Sequence, residues 1–168
     1  MMSGMVGDTP PMANWMTFTT EAPDLAEKVE ARLRAHTHHV MATLRVDGSP
    51  RVSGTEVEID SDELYIGSMW HARKALDLLR DGRMAVHTNP GDETMDGGDA
   101  KLRATAILVD DGEPAKEDRR QENQALEPYH LFRLELEDVV LTEVDQEAEM
   151  LHVHLWRPGR GVRTTSRR

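Results

Sequence analysis

The chain reads as mainly β with flanking helices, a small antiparallel barrel, and three observations predict that class. From His39 onward, apolar residues recur with period two in short runs, and turn signals join each run to the next. Helical stretches interrupt these runs without alternating with them one for one, so neither a βαβ unit nor a parallel sheet is implied. The length, 168 residues, is that of one ordinary domain with one core.

Each element has its own local reason. Residues 1–20 are rich in Met, Gly and Pro without periodicity, which predicts a flexible N-terminal arm, and they lack the basic-then-apolar layout of a secretory signal. Glu21-Ala-Pro-Asp-Leu opens a helix: Pro23 suits a first turn, acids crowd the start, and Leu25, Val29 and Leu33 recur at helical spacing up to Ala35. Residues 39–46 (HVMATLRV) alternate as a strand. Asp47-Gly48-Ser49-Pro50 is a turn, because Asp-Gly tolerates the positive φ of a tight hairpin. Residues 51–59 return as a strand, Asp60-Ser-Asp turns the chain again, and residues 64–68 (LYIGS) form the next strand.

Residues 71–80 (HARKALDLLR) predict a helix with Ala75, Leu76 and Leu79 toward the core, closed by Asp81-Gly82 with glycine at the positive-φ position. A short strand over 84–88, an acidic loop over 89–99 and a strand over 101–109 follow. A polar helix around 115–126 and strands over 131–144 and 150–156 complete the order, about six or seven strands with two or three helices. The expected domain plan is an arm over 1–20, a barrel domain over 21–163 and a basic tail over 164–168.

Composition narrows the function. There is no cysteine, which removes disulfides, thiolate metal sites and cysteine nucleophiles and leaves any redox role to a bound cofactor. Thirty-one acids against twenty bases, a formal charge of −11, disfavour nucleic acid and anionic membranes as partners. The last nine residues, RGVRTTSRR, carry four arginines and read as a surface tail, or as neutralising acids on this chain or a partner chain, in preference to the alternative of a nucleic-acid contact. No apolar run approaches the ~20 residues of a membrane span, and a cytoplasmic location is expected.

The informative stretch is residues 44–88. Gly67 permits close backbone approach, Ser68 supplies a hydroxyl, and the helix that follows offers free N–H groups at its positive end. Arg73 and Lys74 stand in its first turn, where the helix dipole prefers acids, so an anion there would account for them. Arg51 on the neighbouring hairpin strand can point to the same place. The alternative is that the cations pair with acids such as Asp77, an ordinary helix contact worth about 0.5 kcal/mol. No G-x-G-x-x-G follows a strand.

The run ATLRVDGSPRVSGTEVEIDSDELYIGSMWHARKALDLLRDGRMAVHT resembles the pyridoxamine 5′-phosphate oxidase-like split barrels, and particularly their actinobacterial flavin/deazaflavin-dependent branch. The family's hairpin "ATLR-DG-P" is present, and its "LRRDPR" stands here as Leu79-Arg80-Asp81-Gly82-Arg83. Gly98-Asp99-Ala100-Lys101-Leu102-Arg103-Ala104 is similar to its "gdAklsG-A" strand, and HVHLWRPGRGVR to its closing "W-PGRG-R". The resemblance covers residues 38–110 and 130–163, leaving out the arm and the helix at 115–126.

The resemblance implies a six-stranded antiparallel split barrel, a homodimer with cofactors in grooves between the protomers, and FMN or the deazaflavin coenzyme F-420 as cofactor. Gly67, Ser68, Met69, Arg73 and Lys74 would surround its phosphate. Arg51, Val52 and Ser53 would run along the ring through backbone groups, and Trp156 joins the cofactor-binding set. The implied activity is hydride transfer between the cofactor and a small conjugated organic substrate. The alternative is a carrier that binds the cofactor, haem or a tetrapyrrole without turnover. Oxidases proper carry an Arg-Leu-x-Pro segment, where this chain has Trp156-Arg157-Pro158-Gly159-Arg160.

Because the cofactor carries the hard step, no protein nucleophile is expected. His87 is a candidate proton donor near the ring, or a hydrogen-bonded, half-buried histidine. His152 and His154 lie two apart on one strand face, and His36, His38 and His39 cluster, but no further ligands with defined spacing accompany them, so no metal site is expected. Asp96-Gly-Gly-Asp99 lacks the twelve-residue calcium loop. Trp70 either stacks on a bound ring or plugs a dimer interface.

Overall fold

A computed structural model describes residues 12–91, 93–122 and 128–168. Its first ordered feature lies inside the stretch expected to be an arm. Ala13 makes a two-way backbone bridge with Leu136, Asn14 caps a helix by accepting from the Thr17 N–H at 3.0 Å, and α1 (Trp15–Glu21) follows. Trp15 and Phe18 are buried, and Phe18 packs against Trp156 with ring centroids 4.8 Å apart. The arm is thus corrected from Ala13 onward, because two aromatic side chains hold it in the core; residues 1–11 lie outside the described residues.

Next, α2 (Pro23–Ala35) buries Leu25, Ala26, Val29 and Leu33, the helical stripe read from the sequence. The expected hairpin forms from β1 (His39–Leu44) and β2 (Pro50–Thr55), with Gly48 at φ +81 in its turn. The return strand breaks after Thr55, and β3 (Glu58–Asp60) pairs instead with β4 (Glu63–Met69). After β4 come α3 (Arg73–Arg80), β5 (Arg83–His87), β6 (Asp99–Leu108), α4 (Pro114–Glu122), β7 (Tyr129–Asp145), β8 (Met150–Arg157) and β9 (Gly161–Arg167). The polar helix expected to reach 126 is described as far as Glu122, and 123–127 lie outside the described residues.

All pairings are antiparallel, in the order β2-β1-β5-β6-β7-β4-β3, with β8 on the far part of β7 and β9 on β8. Among the described residues the sheet has nine strands, two more than the upper count of seven read from the sequence. The excess has two sources: the break that creates β3, and the pairing of 161–167 with β8, which makes a strand of most of the presumed tail. The sheet curls until β2 and β4 approach without pairing, leaving a seam. Its concave face and α1–α2 enclose the main core, including Met41, Leu64, Ile66, Leu102, Leu134 and Trp156. No helix among the described residues is long and apolar enough to cross a membrane.

The phase of α3 differs from the sequence reading. Ala75, Asp77 and Leu78 are its buried residues, while Leu76 and Leu79 are exposed. The burial of Asp77 is what turns the helix. Its carboxylate accepts from Thr43 Oγ1 at 2.8 Å and Arg51 Nε at 2.7 Å, with Arg80 at 3.5 Å, tying the helix to the hairpin. Gly82 does not take a positive φ. Glycine is needed there because a Cβ would lie 2.6 Å from the Ala106 carbonyl oxygen.

Candidate functional site

The seam opens into a cavity of about 790 Å³, within the range of small-molecule sites. Its walls come from six places: the end of β2 with the chain up to Ile59, β4 from Tyr65 onward, the start of α3, the end of α2 with His36, Thr37 and His38, Arg119 of α4, and the start of β7. Strand alternation explains the β4 wall. Leu64, Ile66 and Ser68 are buried on one face, whereas Gly67 and Met69 are exposed on the other. A Cβ built on Gly54 or Gly67 would meet nothing within 4 Å, so both strands present bare backbone to the cavity. A flat ring can approach such backbone closely.

At the end of the cavity stands the N-terminus of α3. Its cap residue, Ala72, supplies no side-chain hydrogen bond, and the first turn holds no acid. The helix therefore begins with unsatisfied N–H groups at its positive end. Lys74 lines the cavity and donates to the Gly54 carbonyl oxygen at 2.7 Å; burial holds its ammonium below the ordinary lysine range, with Glu56 opposing. Arg73 is exposed and makes no hydrogen bond or ion pair among the described residues. Ser68 also lines the cavity. It is only 8% exposed, and its hydroxyl has no hydrogen-bond partner among the described residues. A buried hydroxyl left unpaired costs stability unless something else satisfies it.

The predicted residues divide accordingly. Gly67, Ser68, Met69 and Lys74 come together on the cavity wall, with Arg73 beside it. Arg51, Val52 and Ser53 do not line the cavity: Arg51 is held by Asp77, Val52 is 71% exposed, and the wall on β2 begins at Gly54. Trp156 does not line the cavity either: it is fully buried in the core, where its Nε1 donates to Glu21 Oε2 at 3.1 Å. His87 also lies off the cavity. Its Nδ1 is 2.6 Å from the Thr88 carbonyl oxygen and its Nε2 is 3.8 Å from Asp99, the half-buried, hydrogen-bonded arrangement.

Other site features escaped the sequence reading. Arg119 of α4, nearly fully buried, lines the cavity over the Tyr65 ring, 4.2 Å from its centroid. It donates to Glu58 and Asp60; burial works against its charge, but these carboxylates raise its pKa. The signal is faint, since the acids lie about 60 residues away. Beyond β4, Trp70 stacks on both His71 and His130. His39 is buried beneath the α2 end, its Nε2 3.2 Å from the Leu33 carbonyl oxygen and its Nδ1 accepting from the Asn89 N–H at 3.1 Å; burial lowers its pKa. His152 and His154 face Ser166 and Thr164 of β9 rather than the cavity. Among the described residues no group of three His, Asp or Glu side chains is placed to hold a metal.

No family model matches the chain, and no curated protein matches it. Solved structures do. PhzG from Burkholderia lata, in complex with tetrahydrophenazine-1-carboxylic acid, is similar with a TM-score of 0.61 at 15% identity, over 99% of this chain and 98% of that one. A Listeria innocua protein provisionally assigned as a pyridoxamine 5′-phosphate oxidase has a TM-score of 0.56 at 16% identity, over 70% and 97%. HutZ, the haem storage protein of Vibrio cholerae, has a TM-score of 0.54 at 20% identity, over 72% and 94%. At these identities the likeness is one of fold alone: the chain shares the fold of these structures.

Proposed function

We propose that the seam binds FMN or the deazaflavin coenzyme F-420, its phosphate at the N-terminus of α3, and that the chain is an oxidoreductase acting on a small conjugated organic substrate. The observation that carries this is the start of α3. An uncapped, acid-free helix end with Arg73 and Lys74 stands beside a buried hydroxyl that lacks a partner. Each feature costs stability without an anion and gains from one. The residues fit a phosphate-bearing group with a flat ring, since Gly54 and Gly67 leave the adjoining strands open to it.

When bound, the cofactor supplies the hydride chemistry. The chain's own work is to bind and to orient. Arg73, Lys74 and the α3 amides hold the phosphate, Ser68 donates its hydroxyl, and the bare backbone at Gly54 and Gly67 sets the plane of the ring. The working unit in this reading is a homodimer in which a second copy covers Val52, Met69 and Trp70, large apolar side chains that lie exposed near the seam.

His36 and His38 on the cavity wall favour a second reading, a haem or tetrapyrrole carrier without turnover, in keeping with the haem storage named for HutZ. Fluorescence titration with FMN and with F-420, beside an absorbance titration with haem, separates the two. Saturable binding of FMN or F-420, competed by inorganic phosphate, supports the redox reading. Binding of haem alone supports the carrier.

A further inference from the structure

The turn between β4 and α3 is held in a strained form by a residue from another strand. His71 has φ +56, a left-handed conformation that is strained for a residue bearing a side chain. It lies two residues before Arg73, so its conformation sets where the first turn of α3 begins. Two contacts keep it there. The Ala72 N–H donates to the Met69 carbonyl oxygen at 3.1 Å, and the His71 N–H donates to Nε2 of His130 at 3.4 Å. His130 stands on β7 directly opposite Ser68. It is 5% exposed, and Trp70 stacks on it at 4.4 Å with an 11° tilt between rings.

From this we infer that His130 is a positioning residue: its neutral imidazole, accepting from the His71 N–H, holds the anion-binding start of α3 in register with Ser68. This rests on the reading of the seam as a phosphate site. Accepting at Nε2 requires the proton on Nδ1. A second proton would remove the acceptor and set an imidazolium against the turn. The titratable and charged groups facing His130 are His71 in the turn and Lys116 of α4, which is itself paired to Asp111 at 2.6 Å. Burial, Lys116 and His71 all lower the His130 pKa, so the imidazole stays neutral at neutral pH and gains its proton only below the ordinary histidine range.

The sign follows. Phosphate-dependent affinity is full above the histidine range and falls as pH drops below about 6.5. The test measures binding of FMN and of F-420 from pH 5 to 8, with riboflavin as the phosphate-free probe, in wild type and two variants whose melting curves confirm folding. His130→Phe keeps the stack and loses the acceptor; binding about fivefold to tenfold weaker at pH 8 is expected, with riboflavin affinity unmoved. His130→Gln places a carbonyl oxygen near the Nε2 position, so near wild-type affinity without the acid fall is expected. An acid fall retained in His130→Gln, or wild-type FMN and F-420 affinity in a folded His130→Phe, overturns the inference while leaving the phosphate site standing. A wild type that binds neither FMN nor F-420 overturns the phosphate site itself, and the inference with it.

Discussion

The two ends of α3 are built on opposite plans. At its C-terminal end every charge is matched: Asp77 takes hydrogen bonds from Thr43 and Arg51, Asp81 is paired with Arg83, and Arg80 donates to the Leu44 carbonyl oxygen. At its N-terminal end the side-chain cap is missing, and among the described residues Arg73 has no ion-pair partner and the buried Ser68 hydroxyl nearby has no hydrogen-bond partner. One end anchors the helix to the hairpin. The other leaves interactions unmade beside an open seam, which is where stability is given up when a site must receive a ligand. The contrast is sharper than composition suggests, since cations occur at both ends of the helix.

The sharpest way to break the contrast is at the open end. Arg73→Ala with Lys74→Ala removes two charge-assisted contacts to a phosphate, each worth about 1.5–3 kcal/mol, so FMN or F-420 affinity should fall on the order of a hundredfold or more. Melting temperature should fall only modestly. Arg73 is exposed, where changes lie within about 0.5 kcal/mol, and Lys74 loses one hydrogen bond to the Gly54 carbonyl oxygen, worth about 1 kcal/mol, partly offset by relief of its buried charge. Titration by fluorescence together with a thermal melt checks both halves. A large loss of stability with affinity preserved would mean that the two ends share one structural role.

The reciprocal change is Asp77→Ala. It leaves Arg51 and Thr43 without their acceptor and should cost about 2 kcal/mol, less than for a fully buried pair because Arg51 is partly exposed. For a chain of this size that is a fall of roughly 4–8 °C in Tm by calorimetry. Binding at temperatures where the variant stays folded should weaken less than in the double variant, since Asp77 meets no ligand.

How much of this was legible follows the range of the interactions. The β1–β2 hairpin and α2 were readable because Asp47-Gly48, Pro23 and the Leu25, Val29, Leu33 stripe are local signals. Helix α1 was not. Its aromatic residues stand in a Met- and Pro-rich stretch, and the Trp156–Glu21 bond that helps seat it spans 135 residues. Strand β9 was hidden for another reason: its arginines and threonines show no apolar alternation, and only pairing with β8 makes it a strand. That Gly67, Ser68, Met69 and Lys74 share one cavity wall follows from a strand end and a helix start adjoining in sequence. The pairing of Arg51 with Asp77, away from the cavity, was not legible, since the phase of α3, which points Asp77 inward, decides it. His130 could not be seen at all, because nothing local marks its contact with His71, 59 residues away.

A smaller effect has opposite signs in stability and in binding. Ser68→Ala removes a buried hydroxyl that the folded chain leaves unpaired, so the free protein should gain about 1 kcal/mol. The same change removes a donor to the phosphate, so affinity should fall about fivefold. Denaturant melts of the free variant alongside cofactor titration show whether both hold. A Ser68→Ala protein less stable than wild type would mean that the hydroxyl has a partner in the free chain.

The smallest separation is in pH, and it again sets one end of α3 against the other. Hydrogen bonds and charge from Arg83 hold Asp81 down at about 2, and although burial opposes ionisation of Asp77, its bonds from Arg51 and Thr43 lower that carboxyl as well. Carboxylates whose folded pKa lies below the unfolded value of about 4 stabilise the fold above that value and lose the contribution as pH falls through the folded one. The anchoring end should therefore fail in acid, seen as a falling Tm below about pH 4. Lys74 behaves in the other sense. Burial lowers its pKa, so its cost to the empty fold shrinks as pH rises, while its hold on a phosphate needs the proton. Affinity should decline as pH climbs toward the lysine range even though stability does not. Arginine retains its proton throughout that range, so Lys74→Arg should abolish the alkaline decline and leave the acid fall in Tm in place. An alkaline decline that survives Lys74→Arg would place the titrating group elsewhere and remove Lys74 from the phosphate contact.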